Sequence, residues 1–219
     1  MPTISKENYL KTIYQRAQTN NEPVTTSYVA SKLEVSNAAT SEMAKKLSDD
    51  GLISHEKYKG IELTDNGREI ALQIIRRHRL WELFLIKVLG LSWGEVHDEA
   101  EMLEHSTSEL LINTIDDYLG NPKFDPHGSP IPDRFGNLPV TPAIIALTKC
   151  RTGKKYRIAK VNDKSSELMN YFSRLGLELE KEIAIEDRLE FDNSITLSID
   201  NRIHSLSEKI CENVYVYSN

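Results

Sequence analysis

Apolar residues recur at helical spacing through the first half of the chain and alternate in short runs through the last third. The pattern predicts a mainly α protein with a β-containing C-terminal domain. Tyr9, Leu10, Ile13, Tyr14 and Ala17 form one face of a first helix, which the polar, proline-containing run Thr19-Asn20-Asn21-Glu22-Pro23 ends. Val24-Thr25-Thr26 supplies a cap for a short helix over 27–33. Ser36 stands as N-cap of another over 37–47, across the link Glu34-Val35-Ser36. Two short helices so closely joined have helix-turn-helix spacing, and such a second helix presents its first residues to base edges in the major groove. Here those are Ser36, Asn37, Ala38, Ala39, Thr40, Ser41 and Glu42, with Lys45 and Lys46 a turn later, placed to meet phosphates. Residues 52–56 and 60–64 then pair across Lys57-Tyr58-Lys59 as a wing whose tip carries Lys57 and Lys59, and Thr64 caps the next helix.

From Arg68 to Leu91 the apolar positions Ile70, Ile74, Ile75, Leu80, Leu83, Phe84 and Leu85 keep helical spacing. Ser92-Trp93-Gly94-Glu95 has the form of a capping box opening a further helix, and Leu110, Leu111, Ile112 and Ile115 extend its apolar face. Helices with this much hydrophobic surface most simply bury it against a second copy, as a two-fold homodimer. Residues 121–142 hold most of the prolines and read as a linker, with His127 an ordinary loop residue. Beyond it, residues 156–161, 182–185, 195–199 and 214–217 read as strands of a small barrel, with one helix over 165–175 ended by Gly176. The expected division is 1–68, a winged helix-turn-helix; 69–120, a helical metal-binding and dimerisation domain; 121–149, a proline-rich linker; and 150–219, the β domain.

A chain of 219 residues, 39% hydrophobic and 27% charged, fits a globular protein. No signal-like or membrane-spanning run is present, which places it in the cytoplasm with no membrane partner. Cys150 and Cys211 share no metal or disulfide spacing. The net charge of −6 argues against a DNA binder taken alone. Its distribution alters that: Lys/Arg and Asp/Glu balance nine to nine over 1–68, whereas 69–149 holds seven against twelve. The acid excess therefore sits where ligand-type residues cluster.

On a helix His97, Glu101, Glu104 and His105 fall at i, i+4, i+7 and i+8, so two imidazoles and two carboxylates share a face. His78 and Glu82 repeat the i, i+4 spacing on the preceding helix. Mixed nitrogen and oxygen donors of this kind suit first-row divalent cations. The bland alternative is a solvated acidic face on a winged-helix regulator that senses a small molecule. A third class is a di-iron-type metalloenzyme, but such sites use Glu-x-x-His units, and here Glu104 and His105 are adjacent.

The winged helix, the runs 76–82 (Arg-Arg-His-Arg-Leu-Trp-Glu) and 96–105 (Val-His-Asp-Glu-Ala-Glu-Met-Leu-Glu-His), and the loop 126–132 (Pro-His-Gly-Ser-Pro-Ile-Pro) together resemble the diphtheria-toxin-repressor family of metal-dependent transcriptional regulators. The resemblance covers nearly the whole chain and implies an SH3-like last domain. It implies a non-enzymatic repressor that binds a palindromic DNA element as a homodimer when Mn(II) or Fe(II) fills two sites per subunit, and so controls metal-homeostasis genes. Carried over by position, one site takes His78, Glu82 and His97, and the other Glu101, Glu104 and His105. A ligand from the first helix falls at Asn8, which brings a carbonyl but no charge, with Glu7 adjacent. A carboxylate at Glu101, where iron-responsive members have Cys, favours a harder ion such as Mn(II). Some members add donors from the third domain, for which Glu167 and Asn170 are the counterparts.

Overall fold

The computed structural model describes residues 6–19, 23–56, 60–163 and 165–218. The chain divides into two compact units, Met1–Arg76 with Pro132–Asn137, and Arg77–Ile131 with Leu138–Asn219.

The first unit holds α1 (Lys6–Thr19), α2 (Thr26–Lys32), α3 (Asn37–Asp49), β1 (Ile53–Glu56), β2 (Gly60–Leu63) and the start of α4 (Asp65–Lys87). The expected caps are all made. Thr25 Oγ1 accepts from the Tyr28 N–H at 3.1 Å, Ser36 Oγ from Ala39 at 3.1 Å and Thr64 Oγ1 from Gly67 at 3.2 Å, each satisfying an amide that a helix start would leave orphaned. Leu10, Ile13, Val29, Leu47, Ile61, Ala71 and Ile75 close the core. β1 and β2 pair antiparallel from Ile53↔Leu63 to Glu56↔Gly60, and Val24 adds a bridge to Ile61. Gly60 is required there: its φ is +87°, and a Cβ would come within 2.8 Å of both Pro23 and the Val24 carbonyl. Lys57 and Lys59, at the tip of the wing, lie outside the described residues.

In the second unit α4 continues to Lys87, followed by α5 (Val96–Glu104) and α6 (Glu109–Tyr118). The boundary expected at residue 68 falls inside α4. Ser92 and Glu95 do interact as anticipated: Glu95 Oε2 accepts from the Ser92 N–H at 2.9 Å and its hydroxyl at 2.6 Å, which also holds the Glu95 carboxyl below its ordinary pKa. They close a turn ahead of α5 rather than capping it, because the helix begins only at Val96. Nor does the apolar face run unbroken into 110–115. Ser108 caps a separate α6 through the Leu111 N–H at 3.2 Å, which leaves Ile112 and Ile115 buried with Leu80, Leu83 and Ile131. Leu110 and Tyr118 are 79% and 69% exposed, and Met102 is 63%.

Six antiparallel strands complete this unit in the order β3-β8-β4-β5-β6-β7, taking β3 (Ile144–Ala146), β4 (Lys155–Val161), β5 (Glu182–Arg188), β6 (Ile195–Ile199), β7 (Arg202–Leu206) and β8 (Val214–Tyr217). Two of these were absent from the sequence reading: β3, short and inside the proline-rich stretch, and β7, whose Arg202, Ile203 and Ser205 are exposed and whose alternation is weak. Helix α7 (Ser166–Leu175) packs Met169 and Phe172 into the sheet's core and ends at Gly176 with φ +72°. A short α8 (Glu208–Cys211) precedes β8, and Cys150 and Cys211 are free thiols in the same core. Among the described residues, no helix is long and apolar enough to cross a membrane.

Candidate metal centre

Helix α4 places His78 and Glu82 one turn apart on a face that is almost completely buried. His78 lies between two carboxylates: its Nδ1 is 2.7 Å from Glu104 Oε2 and its Nε2 3.0 Å from Glu82 Oε1. A neutral imidazole can donate to only one of them. Helix α5 brings His97 Nδ1 to 3.5 Å from Glu82 Oε1 and Glu101 Oε1 to 3.8 Å from His78 Nδ1, and its C-cap His105 stands with Nε2 3.3 Å from Glu104 Oε1.

The segment expected to be a plain linker builds the other wall. Asp125 Oδ1 accepts from the backbone N–H groups of His127 and Ser129 at 2.8 and 2.9 Å, a tight aspartate turn. The His127 carbonyl accepts from Val161 N–H at 2.9 Å, pinning the loop to the end of β4. Gly128, φ +87°, lies so close that a Cβ would meet the Ala159 carbonyl at 2.3 Å. His127 is thereby fully buried beneath Trp93, their ring centroids 5.4 Å apart, and its Nδ1 is 3.6 Å from Glu82 Oε2 and 4.0 Å from Asp163 Oδ2. This corrects the reading of His127 as an ordinary loop residue.

Electrostatics follow from this crowding. Burial pushes the Glu82 carboxyl upward, but the His78 charge and the contacts from His127, His78 and His97 outweigh it and hold the group well below the carboxylate range. Burial, then the Glu82 charge, raise Asp125 against the pull of Arg79. Burial alone would lower His127, yet Glu82, Asp125 and Asp163 raise it to about 9.

Two sets of donors result, joined by a further group of His78, His97 and Glu101. Glu101, Glu104 and His105 have ligand atoms within 4.8 Å of one another, and Glu82 forms such groups with Asp125 and His127 and with His97 and Asp163. Buried atoms of the second group, Glu82 Oε2, His97 Nδ1, Asp125 Oδ2 and both His127 ring nitrogens, make no hydrogen bond in the structure. Polar atoms buried without hydrogen bonds are costly, and several converging on one point fit a cation that supplies the missing interaction. The donors fit a first-row divalent ion.

Residues 1–61 match the description "Iron dependent repressor, N-terminal DNA binding domain", 64–133 "Iron dependent repressor, metal binding and dimerisation domain", and 145–218 "FeoA domain". The diphtheria toxin repressor of Corynebacterium diphtheriae is 30% identical over 225 residues, covering 96% of this chain and 95% of that one. The chain belongs to the diphtheria toxin repressor family. The iron-dependent repressor IdeR of Mycobacterium tuberculosis is 37% identical over 126 residues, 58% of this chain, and the match spans only 54% of that relative. A solved manganese-dependent transcriptional repressor in complex with manganese superposes with a TM-score of 0.89 at 37% identity, covering 98% of this chain and all of that one.

Of the ligands inferred from the diphtheria toxin repressor family, Glu101, Glu104 and His105 form one donor group, whereas His78 and His97 each approach Glu82, at 3.0 and 3.5 Å, but as a pair group with Glu101. Glu167 is a correction. It lies exposed in the first turn of α7 and joins no donor group, whereas Asp163, just ahead of that helix, does. Asn170 is exposed, its amide so close to Gly94 that a Cβ there would fall 2.3 Å from Oδ1. Asn8 sits half-buried in the first turn of α1, in the other compact unit, as does Glu7. Asp125, His127 and Asp163 were missed as ligand candidates. The available signal was the Asp-Pro-His-Gly run, two donor side chains two residues apart in a stretch stiffened by proline.

On α3, Asn37, Ala38, Ala39, Ser41, Glu42, Lys45 and Lys46 are exposed together with the cap Ser36. Thr40 departs from the expected set. It is fully buried beside Ala44 and Leu47, because a 3.6-residue period turns it onto the core face, so it offers nothing to a groove.

Proposed function

We propose that this chain is a metal-dependent, DNA-binding transcriptional repressor that acts in the cytoplasm as a homodimer on a palindromic operator and responds to Mn(II) or Fe(II) at two sites per subunit. The observation carrying this is the pair of carboxylate–imidazole groups that meet at His78, on a helix whose first turns belong to the DNA-binding unit. Glu101, Glu104 and His105 would hold one ion. Glu82, Asp125, His127 and Asp163, with His97 at the rim, would hold the other. The ion supplies positive charge and fixed geometry only; no bond is made or broken, and the protein is not an enzyme. Oxygen-rich donors favour Mn(II) over softer ions.

In this mechanism the residues act by position. His78 keeps Glu82 and Glu104 facing each other, Arg79 and the backbone amides fix Asp125, and Val161 fixes His127. With these residues holding an ion, the population would shift toward the arrangement in which two copies of α3 fit successive major grooves. The exposed Met102, Leu110 and Tyr118 supply apolar surface for pairing of two copies. A small-molecule regulator is the second reading, favoured by a cavity of about 320 Å³ lined by Phe124, Pro130, Ile144, Lys160, Leu179 and Tyr217.

The test is equilibrium dialysis of wild type and Glu104→Ala against Mn(II), Fe(II) and Zn(II), paired with DNA mobility shifts in Mn(II) and in chelator. Stoichiometric metal binding by wild type, its loss in the variant, and retardation only with metal are expected. Equal DNA binding in Mn(II) and in chelator would defeat the proposal.

A further inference from the structure

We infer that residues 132–137 form a strap through which the loop carrying Asp125 and His127 sets the state of the DNA-binding unit. The inference rests on the function proposed above and adds a route of regulation to it. Pro132–Asn137 group with Met1–Arg76, although the residues on either side, up to Ile131 and from Leu138, belong to the other compact unit. A single six-residue excursion therefore ties the metal-loop segment to the DNA-binding unit, as α4 does by running across the division at Arg76.

The strap is a closed turn with its own fastening. Asp133 Oδ1 accepts from the N–H groups of Phe135 and Asn137 at 2.8 Å each, Asn137 Nδ2 donates to Asp133 Oδ2 at 3.0 Å, and Asp133 N–H donates to the Asn137 carbonyl at 2.9 Å. It is held to α4 by Gln73, whose Nε2 donates to the Arg134 carbonyl at 3.2 Å. Gly136 lies against Leu72, with a Cβ there 3.7 Å from the leucine side chain.

Its two ends differ in burial. Toward the metal loop, Ile131 and Pro132 are buried, Ile131 N–H donates to the Lys123 carbonyl at 2.9 Å, and the Asp125 turn follows directly. Toward the sheet, Leu138 is 39% and Val140 95% exposed. A shift of the Asp125–His127 loop is thus carried into the strap through buried residues, whereas the exposed side chains beyond Asn137 offer a shift arriving from the sheet little packing to travel through. Asp133 and Gln73 are positioning residues in this scheme and touch no ion.

Coupling is reciprocal: the factor by which metal raises DNA affinity equals the factor by which DNA raises metal affinity. The experiment uses the full chain and duplexes that wild type recovers from a random-sequence pool in Mn(II). DNA affinity is measured in Mn(II) and in chelator, and Mn(II) affinity with and without the duplex. Four variants are compared: Asp133→Ala, Gln73→Ala, a Gly-Gly insertion between Ile131 and Pro132, and the same insertion between Asn137 and Leu138.

Asp133→Ala and the first insertion are expected to cut the metal-to-chelator ratio of DNA affinity at least about fivefold, with the reciprocal gain in Mn(II) affinity falling by the same factor. Gln73→Ala should cut it by less, and the insertion after Asn137 should leave it intact, with Mn(II) affinity of the free protein unchanged throughout. Gln73→Ala alters no residue of the turn, so it keeps the test valid if Asp133→Ala unfolds. An unchanged ratio in the first three variants, or an equal loss with both insertions, overturns the strap while leaving the proposed function standing. A wild-type ratio of one overturns both.

Discussion

The outer face of α3 and the surroundings of Glu82 are both dense in polar side chains, yet they are built by opposite means. On α3 each position follows from the helix's own period: Ser36 caps the start, Thr40, Ala44 and Leu47 turn inward with Met43 half-buried beside them, and Asn37, Ser41, Glu42, Lys45 and Lys46 face water, where polar groups cost nothing. Glu82 has no exposure at all, and the groups around it arrive from α4, α5, the loop at Asp125–His127 and the approach to α7. Local rules make a surface for reading another molecule. A buried polar centre instead needs four segments to converge, so its polar atoms stay costly until a ligand satisfies them.

That contrast breaks most sharply at Glu82 itself. In metal-free protein its folded-state pKa is depressed, so the stability it contributes is present above the ordinary carboxylate range and is lost as pH falls through the lowered value. Glu82→Gln is expected to lose about 3–5 kcal/mol at neutral pH, the usual result of leaving buried partners unpaired. Its stability should also respond less to acid than that of wild type. Denaturant unfolding in chelator from neutral pH downward measures both, and an unchanged midpoint would mean the centre is held by packing alone.

His127 and Glu167 sharpen the same contrast from the ligand side. His127→Ala should weaken Mn(II) binding at one of the two sites by at least about tenfold, while Glu167→Ala should leave both sites unaltered. Isothermal titration of the two variants decides it. Equal losses would return Glu167 to the ligand set and undo the correction made from its exposure.

What could be read from the amino-acid string divides along the same line. The helix-turn-helix, its caps, the paired strands of the wing and the Gly176 stop were legible because each is written within a few residues. The i, i+4 and i+7 stripes of α4 and α5 were legible for the same reason. Asp125, His127 and Asp163 were not, because the meeting of the first two with Glu82 depends on a loop fastened against Ala159 and Val161, neither near it in the chain. Strand β3 was hidden by the prolines around it. Thr40 was misjudged for a different reason: the helix was read as a run of letters along the groove, when its period already turns every third or fourth residue away.

The smallest expected effects fall on α3, and they test whether its two faces are as separate as the structure has them. Ser36→Ala removes the acceptor for the Ala39 amide and should destabilise the fold by about 1 kcal/mol, visible as a lower Tm. Thr40→Val keeps the shape of the side chain and removes a buried hydroxyl that makes no hydrogen bond. Removing an unsatisfied group is stabilising or neutral, so Tm should hold or rise, and DNA affinity in Mn(II) should not change. Asn37→Ala and Glu42→Ala, by contrast, alter exposed side chains and should leave stability within about 0.5 kcal/mol of wild type while changing which duplexes are selected. If Thr40→Val changed the selected sequence, α3 would have to roll on binding to expose its buried face, and the assignment of readers from exposure would fail with it.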